Sequence, residues 1–314
     1  MSLLYLLSGS FLGWGLGAND SANIYGTAVY TKVVSYRLAV ILTAVFVIIG
    51  AVIDGEKGIE NVSSFALVNG ITLPYVSFLV MLAAAITVMA MTMLKLPVST
   101  SQAVIGAILG HGFLVSKGDL QVASQFFLAW ILTPIGGMLF SLILYWITVK
   151  WLEEKLTSFK YFEGFIKWGY IIAGAFAAYS LGANNVANVF GVFLVDPSYI
   201  KLNIATLLGG FSIALGVITY SRPVMMTVGK GIVPLTNVTG FLVIIASAIT
   251  VYIYAKIGIP VSTSQAVVGA IIGIGLMNDY RLINLSMLSR IFIGWILTPT
   301  IAGIVSILFL KIFI

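Results

Sequence analysis

Two short polar runs sit inside otherwise apolar stretches of this chain, and each occurs twice. Gly-Ala-Asn-Asp-Ser-Ala-Asn begins at Gly17, and Gly-Ala-Asn-Asn-Val-Ala-Asn begins at Gly182. A helix stacks residues four apart on one face, which pairs Asn19 with Asn23 and Asn184 with Asn188. Amide and carboxylate oxygens are hard ligands, suited to a small hard cation such as Na+. The candidate cation ligands are therefore Asn19, Asp20, Asn23, Asn184, Asn185 and Asn188. Gly13, Gly15 and Gly17 predict a break in the first helix, which would free backbone carbonyls as further ligands. A single Asn in a membrane helix is equally well interhelical glue. Two matched clusters, one holding an Asp that is costly at membrane depth without a partner, argue for a site. Asp20 corresponds to Asn185, so the two runs together hold one formal negative charge.

The second pair of runs is built from hydrogen-bond donors. Pro-Val-Ser-Thr-Ser-Gln begins at Pro97 and again at Pro260. Proline suits the first turn of a helix, and hydroxyl residues suit the end where backbone N–H groups lack partners. Two such helix starts facing each other would converge N–H groups, hydroxyls, amides and positive dipole ends on one point, which is a receptor for an oxyanion. The candidates are Ser99, Thr100, Ser101 and Gln102 with Ser262, Thr263, Ser264 and Gln265. Ser and Thr can instead back-bond within a helix, but two identical runs behind proline weigh against that alone. No Lys or Arg lies within any of the four runs. An anion there would need co-bound cations, because an uncompensated charge in low dielectric is too costly. Lys95 and Lys256 are nearby and read as interfacial side chains that snorkel to water. His111, near the end of its span, reads as an interfacial residue and less readily as a proton relay. Trp130 and Trp295 open a repeated Trp-Ile-Leu-Thr-Pro, read as membrane-depth packing with a proline kink.

These runs need elements that bring them together inside a membrane. Of the 314 residues 60% are hydrophobic and 8% charged, against about 25% charged in a soluble domain, and the mean hydropathy is +1.11. Lipid must cover much of such a surface. The net charge of +6 reflects membrane topology rather than nucleic-acid binding, since no basic cluster stands outside the loops. The absence of Cys and the single His exclude thiol chemistry and any two-His metal site. Neither a Ser/His dyad nor HExxH is present, so an intramembrane enzyme is not expected. Residues 1–16 read as a first membrane element rather than a cleaved signal.

The repeats set the architecture. The Asn runs are separated by 182 − 17 = 165 residues, the Pro runs by 260 − 97 = 163 and the Trp runs by 295 − 130 = 165. Each half offers five apolar spans: 3–31 (interrupted), 38–53, 75–94, 98–115 and 122–149, then 169–195 (interrupted), 202–219, 237–255, 261–277 and 287–310. An odd number of crossings per half inserts the second half upside down. The expected fold is an all-α polytopic membrane protein: residues 1–149 one repeat, 150–167 a cytoplasmic linker, 168–314 the inverted second repeat, with broken or re-entrant helices meeting near the bilayer midplane. In that topology 11 of the 16 Lys and Arg fall on the cytoplasmic side, with both termini outside.

The four runs resemble the signatures of the inorganic phosphate transporter (PiT) family, whose members move phosphate with Na+ or H+. The resemblance covers essentially the whole chain. It implies a secondary transporter of the cell (inner) membrane, with inorganic phosphate as substrate, Na+ as coupling ion, no other cofactor, the lipid bilayer as surroundings, and a homodimer by family analogy. It further implies that Asn19, Asp20, Asn23, Asn184, Asn185 and Asn188 lie at the ion and substrate site, while Ser99 to Gln102 and Ser262 to Gln265 hold phosphate. Two departures stand out. Many members have Thr-His where both copies here read Ser-Gln, and many carry Asp where this chain has Asn185. With one carboxylate and no His, the site has few groups that can carry a proton, which favours Na+ over H+ coupling. The short linker points to a minimal prokaryotic form. H+-coupled phosphate transport, sulfate transport and a passive ion channel are the alternatives.

Overall fold

A computed structural model describes residues 3–93, 98–155, 159–227 and 233–313. Pro97, Lys95 and Lys230 lie outside the described residues. Eleven α-helices and no strand occur among the described residues. The first half contains α1 (Leu7–Tyr30), α2 (Tyr36–Asp54), α3 (Glu56–Val68), α4 (Pro74–Met93), α5 (Thr100–Leu114) and α6 (Leu120–Lys155). The second contains α7 (Phe159–Phe190), α8 (Leu202–Thr227), α9 (Asn237–Ile257), α10 (Thr263–Asn278) and α11 (Leu285–Phe313). The stretch expected as a linker therefore holds the end of α6 and the start of α7, either side of residues 156–158.

Among the described residues, seven helices are long and apolar enough to cross a membrane: α2, α4, α6, α7, α8, α9 and α11. This is an all-helical, multi-pass membrane protein. α1 has the length, and its polar run lowers its hydropathy. α5 and α10, with 15 and 16 residues, reach only about 22–24 Å at 1.5 Å per residue, less than the roughly 30 Å of a hydrocarbon core.

Two expectations need correction. α1 and α7 run through their Asn motifs without interruption, so no carbonyls are freed by a break at Gly13–Gly17. The breaks fall instead before α5 and α10, where Ser99 and Ser262 have extended backbones. α3 was not anticipated: Glu56, Lys57 and Glu60 mask an apolar face of Ile59, Val62, Phe65 and Ala66 that is buried.

The halves interlock rather than lie side by side. A Cβ at Gly17 on α1 would collide with the Ile213 carbonyl of α8, and one at Gly182 on α7 with the Val47 carbonyl of α2. Gly106 on α5 is pressed against Pro299 of α11, and Gly269 on α10 against Pro134 of α6. These contacts are the same pair of contacts seen from each repeat. They explain the glycines as sites of close backbone approach. The directions follow from the same contacts. Gly9 meets Val189 and Phe193, while Tyr25 meets Gly174 and donates to the Ile171 carbonyl at 3.1 Å, so α1 and α7 run antiparallel. Gly106 and Gly110 meet Pro299 and Gly303 in order, so α5 and α11 are parallel. Gly269 and Gly273 meet Pro134 and Met138 in order, so α10 and α6 are parallel. A five-residue connection reverses the chain between α5 and α6; α5 and α10 therefore oppose each other.

Candidate cation and anion site

The opposed starts of α5 and α10 meet. Ser99 and Ser262 cap their helices, accepting from the Gln102 and Gln265 N–H groups at 3.4 and 3.3 Å. Each cap also shares a hydrogen bond with the serine two residues on, Ser99 with Ser101 at 3.2 Å and Ser262 with Ser264 at 2.9 Å. Ser264 Oγ donates to the Val98 carbonyl at 3.5 Å, joining one helix start to the other. First-turn N–H groups have no acceptor within their own helix. Thr100, Ser101, Thr263 and Ser264 thus bring such donors to one place. Ser99, Thr100, Ser101, Gln102, Ser262, Thr263 and Gln265 are all buried, and Ser264 is partly buried. The Gln102 and Gln265 Oε1 atoms are buried with no partner among the described residues. Rotating either amide by 180° presents its NH2 group instead.

The cation candidates join this cluster through Thr263. Its hydroxyl neighbours the Asp20 carboxylate and accepts from Asn185 Nδ2 at 3.2 Å. Asn185 also donates to the Leu181 carbonyl at 3.2 Å, and its Oδ1 accepts from Asn188 Nδ2 at 3.0 Å. Asn188 Oδ1 is buried without a partner among the described residues, a hard acceptor aimed at the protein interior. Sequence spacing separated a cation set from an anion set; in the structure they are contiguous, with Thr263 belonging to both.

Three of the six candidates behave differently. Asn184 Nδ2 donates to the Val261 carbonyl at 2.8 Å, and its Oδ1 accepts from the Val261 N–H at 3.0 Å. Its amide holds the extended segment that leads into α10. Asn19 and Asn23 are partly exposed and line separate cavities. That of Asn19 lies among Trp14, Met89, Met93 and Tyr220, and that of Asn23 among Thr27, Tyr30 and Val243. No bond between Asn19 and Val98 matches the Asn184 clasp among the described residues. Loss of that clasp has a direct cost: Asn184→Ala removes two buried hydrogen bonds, worth about 1 kcal/mol each. The expected result is a lower melting temperature of the purified protein and a larger loss than for Asn19→Ala. Equal melting temperatures for the two variants would remove Asn184 from this role.

The electrostatics are spare. Among the described residues Asp20, 7% exposed, is the only buried carboxylate, and no Lys or Arg is buried. One other residue differs from expectation. His111 is buried at 4% exposure rather than interfacial, with both ring nitrogens unpartnered among the described residues; its counterpart in the second half is Ile274. Lys256 makes an ion pair with Asp54 at 2.9 Å. Trp130, Trp295, Pro134 and Pro299 line one apolar cavity of about 690 Å3 with Gln102 and Gln265.

The model of the phosphate transporter family matches residues 16–306. A protein of Pyrococcus abyssi named "Putative phosphate permease" is 30% identical over 99% of this chain and 97% of its own length. A protein of the same name from Methanocaldococcus jannaschii is also 30% identical, over 96% of this chain and 95% of its own. A solved structure, "The sodium-dependent phosphate transporter", superposes with a TM-score of 0.87 over 100% of both chains at 23% identity, a likeness of fold.

Proposed function

Because this chain belongs to the phosphate transporter family, we propose that it carries inorganic phosphate across the membrane coupled to Na+, by alternating access. One observation supports this reading above the rest. The α5 and α10 starts bring together hydroxyls and first-turn N–H groups with no basic side chain among the described residues, beside the buried acceptors of Asp20, Asn185 and Asn188. An anion bound there must be neutralised by cations it brings with it.

Charge counting sets the scale. Asp20 and a phosphate dianion sum to −3. Two helix starts offset roughly +0.5 each. About two negative charges remain, which two Na+ ions would balance. Na+ rather than H+ fits a site with one carboxylate and oxygen ligands of neutral amides. The named neighbour in fold is sodium-dependent, which agrees with this choice of ion. In this reading Asp20, Asn185 and Asn188 bind Na+. Asn19 and Asn23 complete the shell in another state of the cycle, and Asn184 positions the α10 start. Ser99 to Gln102 and Ser262 to Gln265 bind phosphate. The antiparallel α1–α7 and α5–α10 pairs support repeats of opposite orientation in the bilayer. Both termini would be outside and residues 150–167 cytoplasmic, in the cell membrane of a prokaryote.

The binding step is tested on the purified protein. Labelled phosphate should bind in Na+ and not in choline, with a Hill coefficient for Na+ near two, and sulfate in hundredfold excess should displace little of it. Binding that ignores Na+, or that sulfate abolishes, would overturn the ion or the substrate respectively.

A further inference from the structure

The hairpins α4–α5 and α9–α10 are related by the repeat, yet they are held differently. The α9–α10 hairpin is fastened to its surroundings. Lys256 Nζ lies 2.9 Å from Asp54 Oδ1, and the Tyr179 hydroxyl donates to Asp54 Oδ2 at 2.7 Å. Lys256 also stands over the Tyr252 ring, 5.9 Å from its centroid. Asn61 Nδ2 donates to the Gly258 carbonyl at 2.8 Å, and Lys57 Nζ to the Lys256 carbonyl at 3.3 Å. Gly258 has φ of 91°, so the chain turns sharply there into the segment clasped by Asn184. The outside partners all come from α2, α3 and α7.

The repeat supplies an internal comparison. Asp54, Tyr179, Tyr252 and Lys256 correspond to Tyr220, Trp14, Met89 and Met93. These four line an open cleft of about 370 Å3 that reaches Asn19, the counterpart of clasped Asn184. Neither Met93 nor Tyr220 carries a charge that could reproduce the ion pair. One hairpin is closed over the cation cluster by charge; among the described residues its repeat partner has no such pair.

We infer that Asp54 and Lys256, with Tyr179, form the latch of one gate, holding α9–α10 shut while the Trp14–Tyr220 cleft on the other side is open. Breaking the latch shifts the protein towards the opposite state, with α9–α10 released and the cleft closed. This rests on the transport reading above, since it needs two alternating states, but it does not depend on which ion or anion is carried. The exposure fits the role: Asp54 is nearly buried, whereas the Lys256 side chain is 52% exposed. Such a pair contributes modestly to stability, as suits a contact that opens and re-forms in every cycle.

The chain contains no cysteine, so one introduced thiol reports alone. Val261→Cys places it in the buried clasp, and Met89→Cys places it in the open cleft. Maleimide labelling rates are measured on purified protein in nanodiscs, where both faces are reachable. With Asp54→Asn or Lys256→Gln added, the rate at position 261 should rise about fivefold, the limit for a pair of this exposure, and the rate at position 89 should fall. The swapped pair D54K/K256D should return both towards the parent. Ser198→Cys, on the surface, should label equally in every background and normalises for reagent, while a parent-like melting temperature reports intact folding; should Asp54→Asn fail either control, Lys256→Gln decides. Unchanged rates at 261 would overturn the inference, and so would a rise at both positions, which marks general loosening. A labelling switch without Na+-dependent phosphate binding would leave the latch standing and remove the transport assignment.

Discussion

Asp20→Asn should abolish Na+-driven phosphate accumulation while leaving the protein folded. The substitution keeps shape and removes charge. The repeat already supplies the control, since Asn185 occupies the equivalent place in α7, buried and hydrogen-bonded. An Asn in this geometry is therefore tolerated by the fold. What changes is the cation site. Asp20 is the only buried carboxylate among the described residues, so its loss removes the one fixed negative charge against which Na+ can bind. Removing one partner of a buried charge pair costs about 3 kcal/mol or more, equivalent to at least roughly hundredfold in affinity. The check is proteoliposome uptake alongside the melting temperature. Parent-like uptake by Asp20→Asn would remove this residue from the mechanism; lost uptake with a collapsed melting temperature would assign it to folding instead.

Thr263→Val should be the next most damaging change, and Thr100→Val should be much milder. The two threonines hold the same position in identical runs, but among the described residues only Thr263 adjoins both clusters. Its hydroxyl accepts from Asn185 and neighbours the Asp20 carboxylate. A valine of similar shape sets a methyl group against a buried carboxylate. Leaving such a group unsatisfied costs about 1–3 kcal/mol, read as roughly 5- to 150-fold weaker Na+-dependent phosphate binding. Thr263→Ser retains the hydroxyl and should stay close to the parent. The readout is the Na+ concentration that half-saturates phosphate binding. Equal effects at Thr100 and Thr263 would mean that the Asp20 contact contributes nothing.

Much of the architecture was legible because the duplication is written in the sequence. The ten apolar spans correspond to ten of the eleven helices among the described residues. α3 escaped because Glu56, Lys57 and Glu60 dilute its hydropathy; its apolar face acquires meaning only when α7 and the 3-10 turn after it pack on it, as Ala187 does against Gly58 and Gly191 against Val62. Gly13 and Gly17 were misread as helix breakers for a related reason. A glycine that loosens a helix in water lets backbones touch in a membrane bundle, and the α8 backbone it touches is some two hundred residues away.

The polar residue types marked a candidate site but not the partner of each residue. Spacing cannot reveal that Thr263 of one half meets Asp20 of the other, nor that Asn184 clasps the Val261 backbone while its repeat partner Asn19 lines a cleft. Identical motifs held in different environments are invisible to a search for repeats. The same holds for Asp54 and Lys256: two ordinary charged residues 202 positions apart become a latch only through the fold.

The central claim is coupling of phosphate movement to Na+, and accumulation in proteoliposomes tests it most directly. Purified protein is reconstituted, and labelled phosphate uptake is followed under an inward Na+ gradient, an inward H+ gradient, or neither. The account predicts accumulation above equilibrium under the Na+ gradient alone, resistant to excess sulfate. Accumulation driven by H+ without Na+, or none under either gradient, would contradict it.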